Sequence, residues 1–265
     1  MRAVLGIDAA WTLNQPSGVA LAVKRSVGWH LIAAASSYQR FHALADSTPP
    51  REQRPSGSLL DASMLLASAS MLCGCPVDLV AIDMPLAREP IVGRRISDDV
   101  VSRVYGGRKC GTHTPSALRP GPMSDQVRES FDLAGYPLLT NIMAPVGLIE
   151  VYPHPALVEL AGASIRLPYK VSKVRSYWPS ITPAERRVRL FRQWSEIVTL
   201  LDGEVEGIDA ALPSPAMSSS GVEIKAYEDA LDATICAWIA ICALEGRAKP
   251  FGDENSAIWI PLPCR

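Results

Sequence analysis

The chain has 265 residues, 48% of them hydrophobic and 20% charged, with a formal net charge of −1. That length and balance supply a sizeable core and exclude a disordered chain or one drawn to polyanions by bulk charge, so any argument about partners rests on local charge. The longest apolar run, residues 233–244, is too short to span a bilayer and reads as a buried helix.

Residues 2–8 read as a strand, a polar turn follows at 12–18, and residues 19–25 and 29–35 read as two more strands separated by Gly28. Short turns between three strands predict an antiparallel meander. Residues 43–57, rich in Pro, Ser, Arg and Gly, predict a loop. Residues 59–73 have helical spacing, with Leu60, Met64, Ala67 and Met71 as the apolar stripe. Residues 77–82 form an apolar strand ending at Asp83, where Pro85 stops it. Residues 88–146 look irregular, with one helix at 125–133, and predict an insertion that hangs over whatever Asp83 builds. Gly106, Gly107 and Gly111 give that insertion freedom to act as a lid. A strand at 148–152 is closed by Pro153 and Pro155, with a helix at 156–160. Helices are predicted at 183–202 and 225–245, and a final edge strand at 256–260. The sum is an α/β chain of one domain over 1–265: a mixed sheet in the order 3-2-1-4-5 with helices on both faces and a long insertion after strand 4.

Carboxylates stand at informative points of this layout. Asp8 ends the first strand, among apolar neighbours where an unpaired charge is costly. Asp83 ends the strand that should run parallel to it, and ligand sites of open α/β sheets lie at that carboxyl edge. Asp229 and Asp232 share a helix face with Ala233, Cys236, Ala240 and Ala243, small residues that let the helix lie close to the sheet. Taken alone, Asp229 reads as a helix-start acid meeting the macrodipole, and Asp83 as a turn former. Together the four predict a cluster whose mutual repulsion a divalent cation relieves, and oxygen ligands without His suit Mg²⁺.

The run Gly6-Ile-Asp-Ala-Ala-Trp11 with Pro16-Ser-Gly-Val-Ala20, then Ala81-Ile-Asp-Met-Pro-Leu86, Glu150-Val-Tyr-Pro-His-Pro155 and Tyr227-Glu-Asp-Ala-Leu-Asp-Ala233 resembles the family called domain of unknown function 429. The resemblance implies an RNase H-like fold and a nuclease activity predicted for that family. The layout is also similar to Holliday-junction resolvases, which implies catalytic and metal-binding roles for Asp8, Asp83, Asp229 and Asp232. This chain has Asp83 where resolvases use Glu, and no His just before Asp229. Glu150 is either a fifth catalytic acid or the partner of a buried Arg. His154, between two prolines, is expected to be exposed.

Residues 166–192 hold Arg166, Lys170, Lys173, Arg175, Arg186, Arg187, Arg189 and Arg192 against Glu185 alone, interleaved with Tyr169, Tyr177 and Trp178. Cations with aromatics suit phosphates and unstacked bases, while a solvated basic face is the plainer account. Arg94, Arg95, Arg103, Lys173, Arg175, Arg186 and Arg187 are the candidate substrate-binding residues. The resulting expectation is a metal-dependent nuclease with two Mg²⁺ or Mn²⁺ ions. The rivals are an actin-like or sugar-kinase-like phosphotransferase, and a non-catalytic nucleic-acid-binding protein with a vestigial site. Ala9-Ala10-Trp11 and Met84-Pro85 lack the glycines a phosphate-cradling loop needs, which counts against the phosphotransferase. Cys236 and Cys242 read as core residues. Cys73-Gly74-Cys75 and Cys110 with His113 lack the second pair of a zinc site, and Cys264 completes the six cysteines. No signal peptide precedes residue 3, so a reduced cytoplasmic protein is expected.

Overall fold

The computed structural model describes residues 1–48 and 54–263. The meander forms as the short turns predict: β1 (Arg2–Asp8), β2 (Gly18–Lys24) and β3 (Trp29–Ala35) pair antiparallel, with one irregularity in register between Leu21 and Ala22. α1 (Tyr38–Ala45) follows, started by the Ser37 side chain accepting from Arg40 N, so residues 43–45 are helical where a loop was expected. Part of that expected loop lies outside the described residues.

α2 (Ala62–Cys73) begins at the Asp61 cap and ends at Gly74 in the left-handed region. Its buried face is not the expected one. Ala62, Leu65 and Ala69 meet the sheet, while Ala67, Met64 and Met71 face solvent. The helix is apolar nearly all round, so spacing alone left more than one face eligible.

β4 (Leu79–Ile82) pairs parallel with β1, and β5 (Gly147–Val151) pairs parallel with β4. Between them lie α3 (Ile96–Tyr105) and α4 (Pro122–Leu133). Then come α5 (Pro153–Leu160), the short α6 (Val174–Tyr177), α7 (Pro183–Asp202), the short α8 (Ile208–Ala211) and α9 (Gly221–Leu244). α7 has the predicted bounds because Thr182 and Glu185 form a capping box around Pro183.

β6 (Ala248–Gly252) and β7 (Ala257–Pro261) complete a seven-stranded sheet in the order β3-β2-β1-β4-β5-β7-β6. The expected order 3-2-1-4-5 is therefore corrected by two strands beyond β5. β7 pairs parallel with β5 and is an inner strand, not the expected edge. The edge is β6, which its Lys249-Pro250 pair hid from an alternation search; a proline that cannot donate suits an edge strand.

Helices cover both faces. On one, α5, α7 and α9 pack on Val4, Ala20, Leu79, Ala81, Ile149 and Val151. On the other, α1, α2 and α4 pack on Leu5, Ile7, Leu21, Val80 and Ile82. α3 covers β6 and β7 through Val101 and Tyr105 against Phe251, Ile258 and Ile260. Residues 88–146 supply two helices to the body of the fold, and Gly106 and Gly107 are helical. Cys236 and Cys242 are buried in the core as expected, and Cys264 lies outside the described residues. Among the described residues, no helix is long and apolar enough to cross a membrane.

Candidate functional site

Strand register puts Asp8 and Asp83 side by side. Ile7 pairs with Ile82 across the parallel β1–β4 ladder, and Asp83 N donates to Ile7 O at 2.9 Å, so the next residue of each strand is the aspartate. Adjacent strands lie about 4.8 Å apart. Alternation along β1 sends Asp8 to the same face as Val4 and Gly6, and along β4 sends Asp83 to the face of Leu79 and Ala81, the side covered by α9.

Glycine allows α9 to come close. A Cβ on Gly6 would stand 2.2 Å from Ala233 O and 2.3 Å from Ala237 N, and one on Gly18 would stand 2.0 Å from Asp229 O. Helix backbone therefore rests on sheet backbone, and the small-residue face Ala233, Cys236, Ala240, Ala243 is buried there as expected. α9 starts at Gly221, four residues earlier than expected, with a Ser220–Glu223 capping box. Asp229 consequently sits more than two turns inside, beyond the reach of the helix-end charge. Both helix acids are buried: Asp232 is 0% and Asp229 4% exposed.

Lysines hold those two acids. Asp232 accepts from the Tyr169 hydroxyl at 2.7 Å and from Lys170 Nζ. Asp229 accepts from Lys225 Nζ, which also donates to Glu228 at 2.9 Å; Glu228 in turn accepts from Val171 N. Against burial, which favours the neutral amine, Asp232, Asp8 and Glu228 keep Lys170 protonated, and Asp229, Glu228 and Asp8 do the same for Lys225. Burial pushes Asp229 up to about 6 against the pull of Lys225. Lys225 lies one turn before Asp229 and was legible from that spacing. Lys170 is 62 residues from Asp232, and nothing local announces the pair.

Asp8 and Asp83 are different. Neither side chain forms a hydrogen bond or ion pair among the described residues. Burial, then Asp232, raise Asp8 well above the usual carboxylate range, with Lys170 opposing and Asp229 and Asp83 adding. Burial lifts Asp83 to about 7, opposed by Lys170 and Arg166 and reinforced by Asp232 and Glu150. Both line a cavity of about 190 Å³ with Tyr152, His154, Thr112 and His113. Asp8 also borders a second cavity of about 330 Å³ with Asp229, Lys170, Lys225 and Arg119.

One segment supplies β5, His154, Tyr169, Lys170 and both helix acids. Residues 139–257 match the family model described as protein of unknown function, DUF429. Asp8 and Asp83 lie outside the DUF429 match, on strands that only the fold brings to it. No curated protein and no solved structure matches the chain.

His154 is buried, not exposed as expected, because α5 starts at Pro153 and turns the imidazole inward between Tyr152 and Tyr169, at ring separations of 5.4 and 5.3 Å. Burial, with Lys170 and Arg166 adding, holds it far below the usual range, so it is neutral at pH 7. Its Nδ1 has no hydrogen-bond partner among the described residues.

Glu150 is the partner of a buried Arg and also lines the cavity of Asp8 and Asp83. Arg95 NH1 and NH2 donate to its two oxygens at 2.5 and 2.8 Å, and Leu86 N donates at 2.7 Å. Arg95 also binds Asp98 at 2.9 Å and is 8% exposed. Its donors are engaged inside the fold, and its side chain lines the cavity of Asp8 and Asp83 together with Asp98. Arg94 pairs with Asp99 at 2.5 Å. Arg186 donates to the carbonyls of Trp178 and Pro179, and Arg187 to that of Met217. Arg103, Lys173 and Arg175 are exposed. From the expected lid, residues 95, 98, 112, 113 and 119 line the cavities.

The four aspartates do not form one shared cage. Among the described residues, no three His, Cys, Asp or Glu side chains come together as a group that holds a metal ion. The cluster divides into a lysine-bound pair, Asp229 and Asp232, and an open pair, Asp8 and Asp83.

Proposed function

We propose that this chain is a metal-dependent hydrolase of phosphodiester bonds in nucleic acid, on an RNase H-like sheet. The observation that carries the reading is the open pair: two adjacent carboxylates at the carboxyl edge, facing a cavity, with no cation of their own among the described residues. A meander followed by parallel crossovers to β4 and β5 supports the RNase H-like reading.

Two carboxylates fit one Mg²⁺ or Mn²⁺ that keeps the rest of its shell as water and substrate oxygen. Such an ion supplies Lewis-acid polarisation and a more acidic water. The expected second ion finds no open carboxylate pair, since Lys225 and Lys170 occupy Asp229 and Asp232. The chain's residues then divide the work. Asp8 and Asp83 hold the ion. Lys170 and Lys225 neutralise the helix acids beside Asp8 and, with Arg119, present positive charge to a phosphate in the larger cavity. His154, neutral and lining the smaller cavity, is available as a proton acceptor.

The test is melting temperature and phosphodiester hydrolysis, with and without Mg²⁺ or Mn²⁺, for wild type, Asp8→Asn and Asp83→Asn. Wild type should gain stability with metal and cleave, and each variant should lose both responses. Equal metal-induced shifts in all three proteins would refute the proposal.

A further inference from the structure

A cavity of another character lies apart from the two that the acids line. It measures about 440 Å³ and is lined by Lys109, Arg166, Tyr177 and Trp178, with Ile165 and Pro168 among the apolar walls. No acidic side chain lines it among the described residues. Neither Lys109 nor Arg166 forms an ion pair there, whereas Arg94, Arg95, Arg108, Lys170 and Lys225 are each paired. Lys173 and Arg175, exposed next to the wall formed by Ser176 and Tyr177, extend the unpaired positive surface. The indole is held in place: Arg186 donates to the Trp178 and Pro179 carbonyls at 2.7 and 2.9 Å, and the Tyr177 and Trp178 rings meet edge to face at 5.7 Å. Arg166 ties this cavity to the acids, since its charge acts on both Asp83 and His154.

We infer that this cavity seats one unstacked base of a single-stranded nucleic acid, with Arg166 and Lys109 holding the flanking phosphates. An aromatic and apolar wall takes the base face, and the unpaired cations take the phosphates. A duplex keeps its bases stacked and cannot fill the cavity. Binding here stands without metal; the inference rests on the hydrolase reading only for the strand's path from Arg166 toward Asp83.

The experiment is fluorescence anisotropy of a short fluorescein-labelled oligothymidylate in EDTA, across a salt series. Wild type should bind, and bind more weakly as salt rises. Trp178→Ala should weaken binding about tenfold. Lys109→Gln, at an exposed position that leaves the fold intact, should weaken it at low salt and flatten the salt slope. Binding without metal-dependent cleavage would support the subsite while removing the hydrolase reading. No binding by wild type, unchanged binding by both variants, or equal competition from a duplex would overturn the inference.

Discussion

Asp83→Asn should stabilise the metal-free protein at alkaline pH while destroying its response to metal. The Asp83 carboxyl is lifted from 3.8 to about 7 by burial first, with Asp232 and Glu150 adding. A folded-state value above the unfolded one means the native state binds the proton more tightly. Native stability is therefore full below the unfolded value and falls as pH rises through the folded value, here between about pH 4 and 7. Each tenfold change in acidity is worth about 1.4 kcal/mol, which sets an upper bound of about 4 kcal/mol for Asp83. Solvent reaches this partly exposed group, so about 2 kcal/mol is the working figure. Asn carries no charge and escapes the cost, and for a chain of this size that corresponds to a melting temperature higher by about 4–8 °C. Thermal melts at pH 5 and pH 8 in EDTA read it directly. The variant should melt higher at both, with the difference at pH 5 about a third of that at pH 8. Adding Mg²⁺ at pH 8 should raise wild type alone. A variant that melts below wild type at pH 8 in EDTA would refute the reasoning and make Asp83 a structural acid.

Lys170→Met leaves Asp232 buried with only the Tyr169 hydroxyl, and should cost about 3 kcal/mol by chemical denaturation. Lys170→Met with Asp232→Asn should recover most of that loss, since no unpaired charge remains. Gly6→Ala drives a methyl into the backbone of α9 at Ala233 and Ala237, and should cost about 3 kcal/mol or prevent folding; Ala3→Gly, at a buried position on the other face, is the control that should cost less.

The sequence by itself determined the parts that depend on short range. Short turns between apolar runs in residues 2–35 specified the meander, spacing specified the helix at 183–202, and the small-residue face of α9 announced a close approach to the sheet. Asp8, Asp83, Asp229 and Asp232 were identifiable because a carboxylate at the end of an apolar strand, or on an apolar helix face, demands a reason. Two features went the other way: spacing could not choose the buried face of α2, and prolines at 153 and 155 concealed that His154 opens a buried helix.

What each acid faces was a tertiary decision. Lys170 reaches Asp232 across 62 residues and Arg95 reaches Glu150 across 55. These pairs form because different elements converge on one sheet edge, and no local pattern encodes that meeting. A charge pattern in the sequence shows only which ions are present. The fold decides which of them are neutralised by a neighbour and which are left open, because the cost of an unpaired charge depends on burial that the whole chain creates.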